Sequence, residues 1–298
     1  MFGFIALNKP SGITSHDCVA KVRKILKLRK VGHGGTLDPL ATGVLPIAVG
    51  KATRLLRFFP ENKTYRALIR LGVQTTTDDL QGEVVKSQPA SMLTLKQVEP
   101  LLHQFVGTIQ QTPPIYSAIQ INGKRLYDLA RKGKLIDVPA RTVYIELIKL
   151  VGWSPGEFPE LEVDIICGSG TYIRAIARDL GTMLNTGGTL AKLTRIESCG
   201  MHLSESISLR QLKEEVEKGS FSLISSDIAL QHLNKITLSE MDEKRWLQGQ
   251  KITQDLLPLS VSGVVRVYQP EDKLLGIGNV VEFDNYQILS PKVVLVDK

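Results

Sequence analysis

The sequence predicts an α+β protein of about two domains. Short apolar or alternating runs suited to strands, at 4–7, 44–49, 63–72, 143–151 and 161–167, are interleaved with longer stretches of helical period. A shift in composition at residues 224–235 precedes one short helical segment and several short strands. The length, 298 residues, suits two domains, and 43% hydrophobic residues can bury a substantial core.

In order, Phe4–Leu7 reads as a strand and Asn8–Gly12 as a turn. Thr14 or Ser15 caps a helix to about Leu28, with Val19, Val22, Ile25 and Leu26 as its apolar stripe. Val44–Val49 is a short apolar run, a buried strand, and Lys51–Arg57 reads as the start of a helix. Lys63–Gly72 alternates as a strand, and Val73–Val85 is a polar turn between two strands. Leu93–Gly107 reads as a helix closed by Gly107. Thr112-Pro113-Pro114 then breaks the chain before a long mixed segment reaching Arg141. Val143–Val151 and Leu161–Cys167 are strands, and Gly168-Ser169-Gly170 turns into a helix over 171–184. In that helix Ile173, Ile176, Ala177 and Leu180 form the buried stripe, and Arg174 and Arg178 share a flank. Thr237–Gly249 is a short amphipathic helix, followed by strands at 264–268, 274–280 and 292–296.

Lys and Arg number 37 against 30 Asp and Glu, a net charge of +7, which is compatible with a polyanionic partner. Six basic residues lie between Lys21 and Lys30, with no acid between Asp17 and Asp38; the run suits a solvated face or phosphate contact. Three cysteines without a C-x-x-C argue against a disulfide framework or zinc site and fit a reduced, cytoplasmic compartment. The start of the chain lacks the pattern of a signal peptide, and no apolar run approaches the roughly 20 residues of a membrane span. The histidines are scattered, Asp78 and Asp79 lack a third ligand, and no Walker loop or G-x-G-x-x-G occurs. Neither a metal nor a nucleotide cofactor is expected.

The chemistry centres on residues 31–57. Asp38 lies in a loop with Gly32, Gly34 and Gly35 before it and Pro39 after it. A residue before proline is pushed out of the α region, so Asp38 is extended or in a turn. Leu37 and Leu40 flank the acid and would dry its surroundings, and desolvation raises a carboxylate's pKa unless a cation opposes it. Taken alone, Asp-Pro in a glycine-rich loop is most often just a turn.

The string His33–Leu45, H-G-G-T-L-D-P-L-A-T-G-V-L, closely resembles the signature loop of the tRNA pseudouridine synthases of the TruB family. Further patterns are similar to that family: Asn8–Ser15, the K-x-Y-R at Lys63–Arg66, the P-P-x-Y-S-A segment from Pro113, G-T-Y-I-R at 170–174, and G-x-x-A-x-L-x-R at 188–195. Asp79 falls on an acid of the family's T-D-T-x-D-x-x-G pattern, whose first Asp is Thr76 here. The resemblance implies a mixed, mainly antiparallel sheet with flanking helices over residues 1–234, with a thumb-like insertion at 113–141. A looser likeness implies a small β-barrel-like PUA-type RNA-binding domain at 235–298.

By the same resemblance Asp38, Tyr65 and Arg174 are the catalytic set, with Arg174 paired to Asp38 and Tyr65 stacking on the target base. Substrate contacts are implied for Lys9, His33, Gly34, Thr36, Asp79, Tyr172 and Leu193, and for Lys124, Arg125 and Arg131 in the insertion. The implied reaction is isomerisation of the T-loop uridine of tRNA (position 55 in standard tRNA numbering) to pseudouridine, by base flipping, cleavage of the C–N glycosidic bond and reattachment through carbon. The implied partner is the T-arm of tRNA, and a cytoplasmic monomer is expected. Help with tRNA folding, and a synthase working in guide-RNA particles, are the other readings.

Overall fold

The computed structural model describes residues 2–117, 119–121, 124–126, 138–255, 261–283 and 286–295. The first part contains β1 (Gly3–Lys9), α1 (Ser15–Leu26), β2 (Val31–His33), β3 (Thr42–Val49), β4 (Lys63–Leu71), β5 (Val73–Thr75), β6 (Val84–Ser87), α2 (Leu95–Leu102) and β7 (Gly107–Gln111). There follow β8 (Gln120–Ile121), β9 (Lys124–Arg125), β10 (Arg141–Ser154), β11 (Glu160–Cys167), α3 (Ile173–Met183), β12 (Gly188–Ser198), β13 (Met201–His202), β14 (Ile207–Ser208), α4 (Leu209–Lys218) and α5 (Ser226–Ala229). The last part holds β15 (Asn234–Thr237), α6 (Glu240–Leu247), β16 (Ile252–Asp255), β17 (Gly263–Tyr268), β18 (Leu274–Glu282) and β19 (Tyr286–Val294).

One large sheet has the order β14-β1-β3-β12-β4-β11-β10-β7, with β2 beside β3 and β13 beside β12. The β1–β14 and β3–β12 pairs are parallel, and the others antiparallel. The sheet is thus mixed and mainly antiparallel, as the resemblance implies. Strands β1 and β3 are apolar on both faces because both are covered. Ile5, Leu7, Leu45, Ile47 and Val49 pack with Val19 and Val22 of α1 and Leu212 of α4. Phe4, Ala6, Val44 and Ala48 belong to a core with Leu55, Phe59 and, from the second sheet, Tyr268, Ile277 and Val293. A strand covered on both faces loses its alternation and reads as a continuous run, as 44–49 does. Farther across, Ile69, Val163 and Ile165 meet Ile176 and Leu180 of α3, which brings the start of α3 beside β4.

The second sheet, β15-β17-β18-β19-β16, packs around the fully buried Trp246 of α6. It is tied to the first by Arg54 Nη1 donating to Val294 O at 2.8 Å and Arg57 Nη2 to Lys292 O at 3.1 Å. Two sequence expectations change. The segment expected to begin a helix at Lys51 is two 3-10 turns, Gly50–Arg54 and Leu56–Phe58, and Pro60 holds Phe59 extended and stops any continuation. The helix expected to reach Gly107 ends at Leu102 and tightens to a 3-10 turn at His103–Phe105. Gly107, at φ 97°, opens β7 instead of capping the helix.

Candidate active site

Asp38 sits in the loop joining β2 to β3, and the fold holds this loop by its carbonyls. Arg195, fully buried on β12, donates from Nη2 to Gly35 O (3.1 Å), from Nη1 to Thr36 O (3.4 Å) and from Nε to Val44 O (2.7 Å). Ser15 Oγ, at the start of α1, accepts from Leu37 N and lies 3.1 Å from Leu37 O. Ala41 N donates to Asp38 O, Gly12 N to Pro39 O, and Ser11 Oγ to Leu40 O. Lys9 Nζ donates to Pro10 O (2.9 Å), Pro39 O (2.9 Å) and Ala41 O (2.7 Å). Every carbonyl from Gly35 to Ala41 therefore has a partner, so the acid's backbone is preorganised. Gly43 makes the arrangement possible: at φ 99°, a Cβ there would lie 2.2 Å from Arg195 O.

Arg174 Nη2 meets Asp38 Oδ2 at 2.9 Å. The arginine side chain is 6% exposed and the acid's 42%, so the carboxylate is the member open to a ligand. The guanidinium is itself fixed: Nη1 donates to Thr77 O (3.1 Å), Nη2 to Tyr116 O (3.2 Å), and Nε lies 3.7 Å from Asp79 Oδ2. Tyr172 is the N-cap of α3, and Gln111 clamps its backbone, accepting from Tyr172 N at 2.8 Å and donating to Tyr172 O at 3.1 Å. Around the pair opens a cleft of ≈ 970 Å³, lined by Asp38, Arg174, Tyr65, Tyr172, Leu193, Thr36, Asp79, Lys63 and His16 among others. Burial pushes the Tyr65 phenol above its ordinary pKa, with the neighbouring Arg195 opposing. Burial likewise raises Tyr172 and lowers Lys63, whose Nζ donates to Ser169 Oγ at 2.9 Å. A carboxylate, a fixed cation and two aromatic rings at one cleft suit a planar base beside a group able to attack or take a proton.

Residues 23–173 match the sequence profile of the TruB family pseudouridylate synthase N-terminal domain, and residues 235–295 that of the pseudouridine synthase II TruB C-terminal domain. The chain belongs to the TruB family of pseudouridylate synthases. Its TruB relatives include the tRNA pseudouridine synthase B of Gloeothece citriformis, 56% identical over 99% of this chain and 97% of that one. The protein of the same name from Trichormus variabilis is 58% identical over 94% of this chain and 95% of that one. Among solved structures, the crystal structure of a Cbf5-Nop10-Gar1 complex superposes with a TM-score of 0.74 at 25% identity, over 98% of this chain and 84% of that one. The structure of an H/ACA RNP bound to a substrate RNA containing 2'-deoxyuridine shares the fold, with a TM-score of 0.73 at 23% identity over 99% of this chain and 86% of that one.

The TruB signature residues divide by position. Asp38, Tyr65, Arg174, Thr36, Asp79, Tyr172 and Leu193 come together at the cleft. Lys9 does not reach it: fully buried and bonded to three carbonyls, it has no route to a ligand, and burial lowers its pKa. The substrate contact expected of Lys9 is corrected to a hold on the Asp38 loop. Gly34 is likewise a packing position, where a Cβ would meet Leu56, Cys199 and Pro46 at 3.2–3.3 Å. His33 stands behind the cleft, its Nδ1 accepting from Gly35 N and its ring edge-on to His16 at 5.2 Å. Of the two flanking leucines only Leu37 is buried; Leu40 is exposed. Asp79 stays in its turn, accepting from Thr77 Oγ1 (2.6 Å) and Gln81 N (3.0 Å), and Thr76 Oγ1 accepts from Glu83 N. Lys124 and Arg125 form a backbone pair of β9 with β8, but their side chains, and Arg131 altogether, lie outside the described residues. Sequence reasoning missed Arg195, although its G-x-x-A-x-L-x-R pattern was in view; the signal was an arginine within an otherwise strand-like run.

Proposed function

We propose that the chain isomerises the T-loop uridine at position 55 of tRNA to pseudouridine, with Asp38 as the central residue. The observation that carries this reading is the Asp38–Arg174 pair at 2.9 Å, its acid facing a cleft lined by Tyr65, Tyr172 and Leu193. The relatives named tRNA pseudouridine synthase B support the substrate. The target nucleotide flips out at a cost of a few kcal/mol, offset by stacking on Tyr65 and by contacts along the cleft. Asp38 then attacks C1′ or C6, or removes a ribose proton; each route uses a carboxylate held at a fixed distance from Arg174. Uracil detaches, turns and bonds through C5 to C1′ as the carboxylate leaves or the ribose proton returns; the proton then lost from C5 is matched by one gained at N1. Tyr65 stacks on the base and assists proton removal at C5. The reaction is an isomerisation and consumes no co-substrate. The division is a catalytic domain at 1–234, with the insertion at 113–141 gripping the T-arm, and an RNA-binding domain at 235–298. The working form is a cytoplasmic monomer, and tRNA folding is a secondary service of the same binding surface.

The test is single-turnover pseudouridine formation on an unmodified T-arm stem-loop and on full-length tRNA, without guide RNA. Wild type should form product, and Asp38→Asn none, with RNA affinity within a few-fold. Substantial turnover by Asp38→Asn would remove the acid from the chemistry. A synthase working in guide-RNA particles would be favoured if product appeared only with guide RNA.

A further inference from the structure

We propose that Arg178, through its bridge to Asp78, is a positioning residue for this isomerisation: it fixes the loops that hold Arg174 against Asp38. The inference rests on the reaction proposed above. Arg174 and Arg178 lie one turn apart on α3, and each guanidinium grips the same two loops. At the Thr77–Asp79 turn, Arg174 holds Thr77 O, and Arg178 Nη1 meets Asp78 Oδ2 at 3.0 Å. At the base of the insertion, Arg174 holds Tyr116 O, and Arg178 Nη2 donates to Thr112 O at 2.8 Å. Arg178 Nε closes the set on Asp179 Oδ1 at 2.8 Å.

The turn needs this grip. Asp78 is buried and sits at φ 60°, where residues other than glycine are uncommon. A buried carboxylate in that conformation is costly unless a cation pairs with it. Remove the Arg178 cation, and the Asp78 carboxylate has reason to swing toward water. That movement carries with it the neighbours on either side, Thr77 O and Asp79, both of which contact Arg174. Arg174 would then hold Asp38 less firmly. A misplacement of about 1 Å at a reacting group is worth ~100-fold in rate.

The experiment measures single-turnover rate constants at saturating enzyme, RNA dissociation constants and melting temperatures. It compares wild type, Asp78→Asn, Arg178→Met, the double variant, Asp179→Asn and Asp38→Asn. Asparagine tolerates the left-handed conformation, so Asp78→Asn removes charge without changing the turn's backbone preference. The expected result is a loss of about ten-fold or more in rate for Asp78→Asn and for Arg178→Met, with affinity within about three-fold. The double variant should be no slower than the slower single, and Asp179→Asn should stay within about two-fold of wild type, because the two loops are held from Asp78 and Thr112. Wild-type rates in both Asp78→Asn and Arg178→Met, beside an inactive Asp38→Asn, would overturn the role alone. Rate losses that merely follow weakened RNA binding, or that multiply in the double variant, would overturn it too. If Arg178→Met does not melt cooperatively, Asp78→Asn against wild type decides. A wild type that makes no pseudouridine would overturn the reaction and this role together.

Discussion

Replacing Lys9 by methionine separates a residue that touches RNA from one that holds a loop. The substitution keeps an apolar stem of similar length and removes the ammonium. Pro39 O retains Gly12 N as a donor, but Pro10 O and Ala41 O have no second donor among the described residues. Ala41 O is buried, and leaving it unpaired costs roughly 1–3 kcal/mol; Pro10 O belongs to an exposed residue and can turn to water. Some of this is returned, because burial of the ammonium, which lowers its pKa, is itself unfavourable. The net expectation is a destabilisation of about 1–2 kcal/mol, or about 2–3 °C in melting temperature for a chain of this size. The loosened loop carries Asp38, so the single-turnover rate should fall about 10- to 100-fold while RNA affinity changes little. The assays are thermal melting, single-turnover product formation and RNA titration on the same preparations. An unchanged melting temperature with weakened RNA binding would refute the loop-holding argument and restore the substrate contact.

Gly43→Ala should destabilise the protein by at least about 3 kcal/mol in urea unfolding, since the new methyl would lie 2.2 Å from Arg195 O where β3 meets β12. An unfolding midpoint equal to wild type would mean that this close approach is not maintained. His33 has its pKa lowered by burial and by the nearby His16 and Arg195 charges. The unfolded chain therefore takes up a proton near pH 6.5 that the folded chain resists, so this contribution to stability is present above about pH 6.5 and declines as pH falls through the window down to the lowered folded value. His33→Gln should flatten part of the fall in melting temperature between about pH 7 and pH 5; parallel curves for the two proteins would show that His33 is not its source.

Local pattern carried much of this molecule. The glycine- and proline-marked loop, the acid within it and the tyrosine of the K-x-Y-R strand were all visible along the chain. So was the 3.6-residue stripe of α3, because periodicity records which side of an element is buried. The same periodicity does not say what covers that side. Lys9 reads as a basic residue beside a turn, and only the meeting of β1 with the 39–41 loop makes it an interior clamp. Arg195 reads as one polar residue in a short run, yet it braces Gly35 O from 160 positions away. Strand β12, which went unassigned, lies between β3 and β4 because those neighbours come from distant parts of the chain. Along the chain Arg178 reads only as sharing a helix flank with Arg174, until the Asp78 turn folds against it. The sequence by itself determined the reactive loop and the elements of α+β type. Tertiary structure decided which charges became buried supports, since a buried charge depends on partners brought by packing, and packing joins residues that sequence spacing leaves far apart.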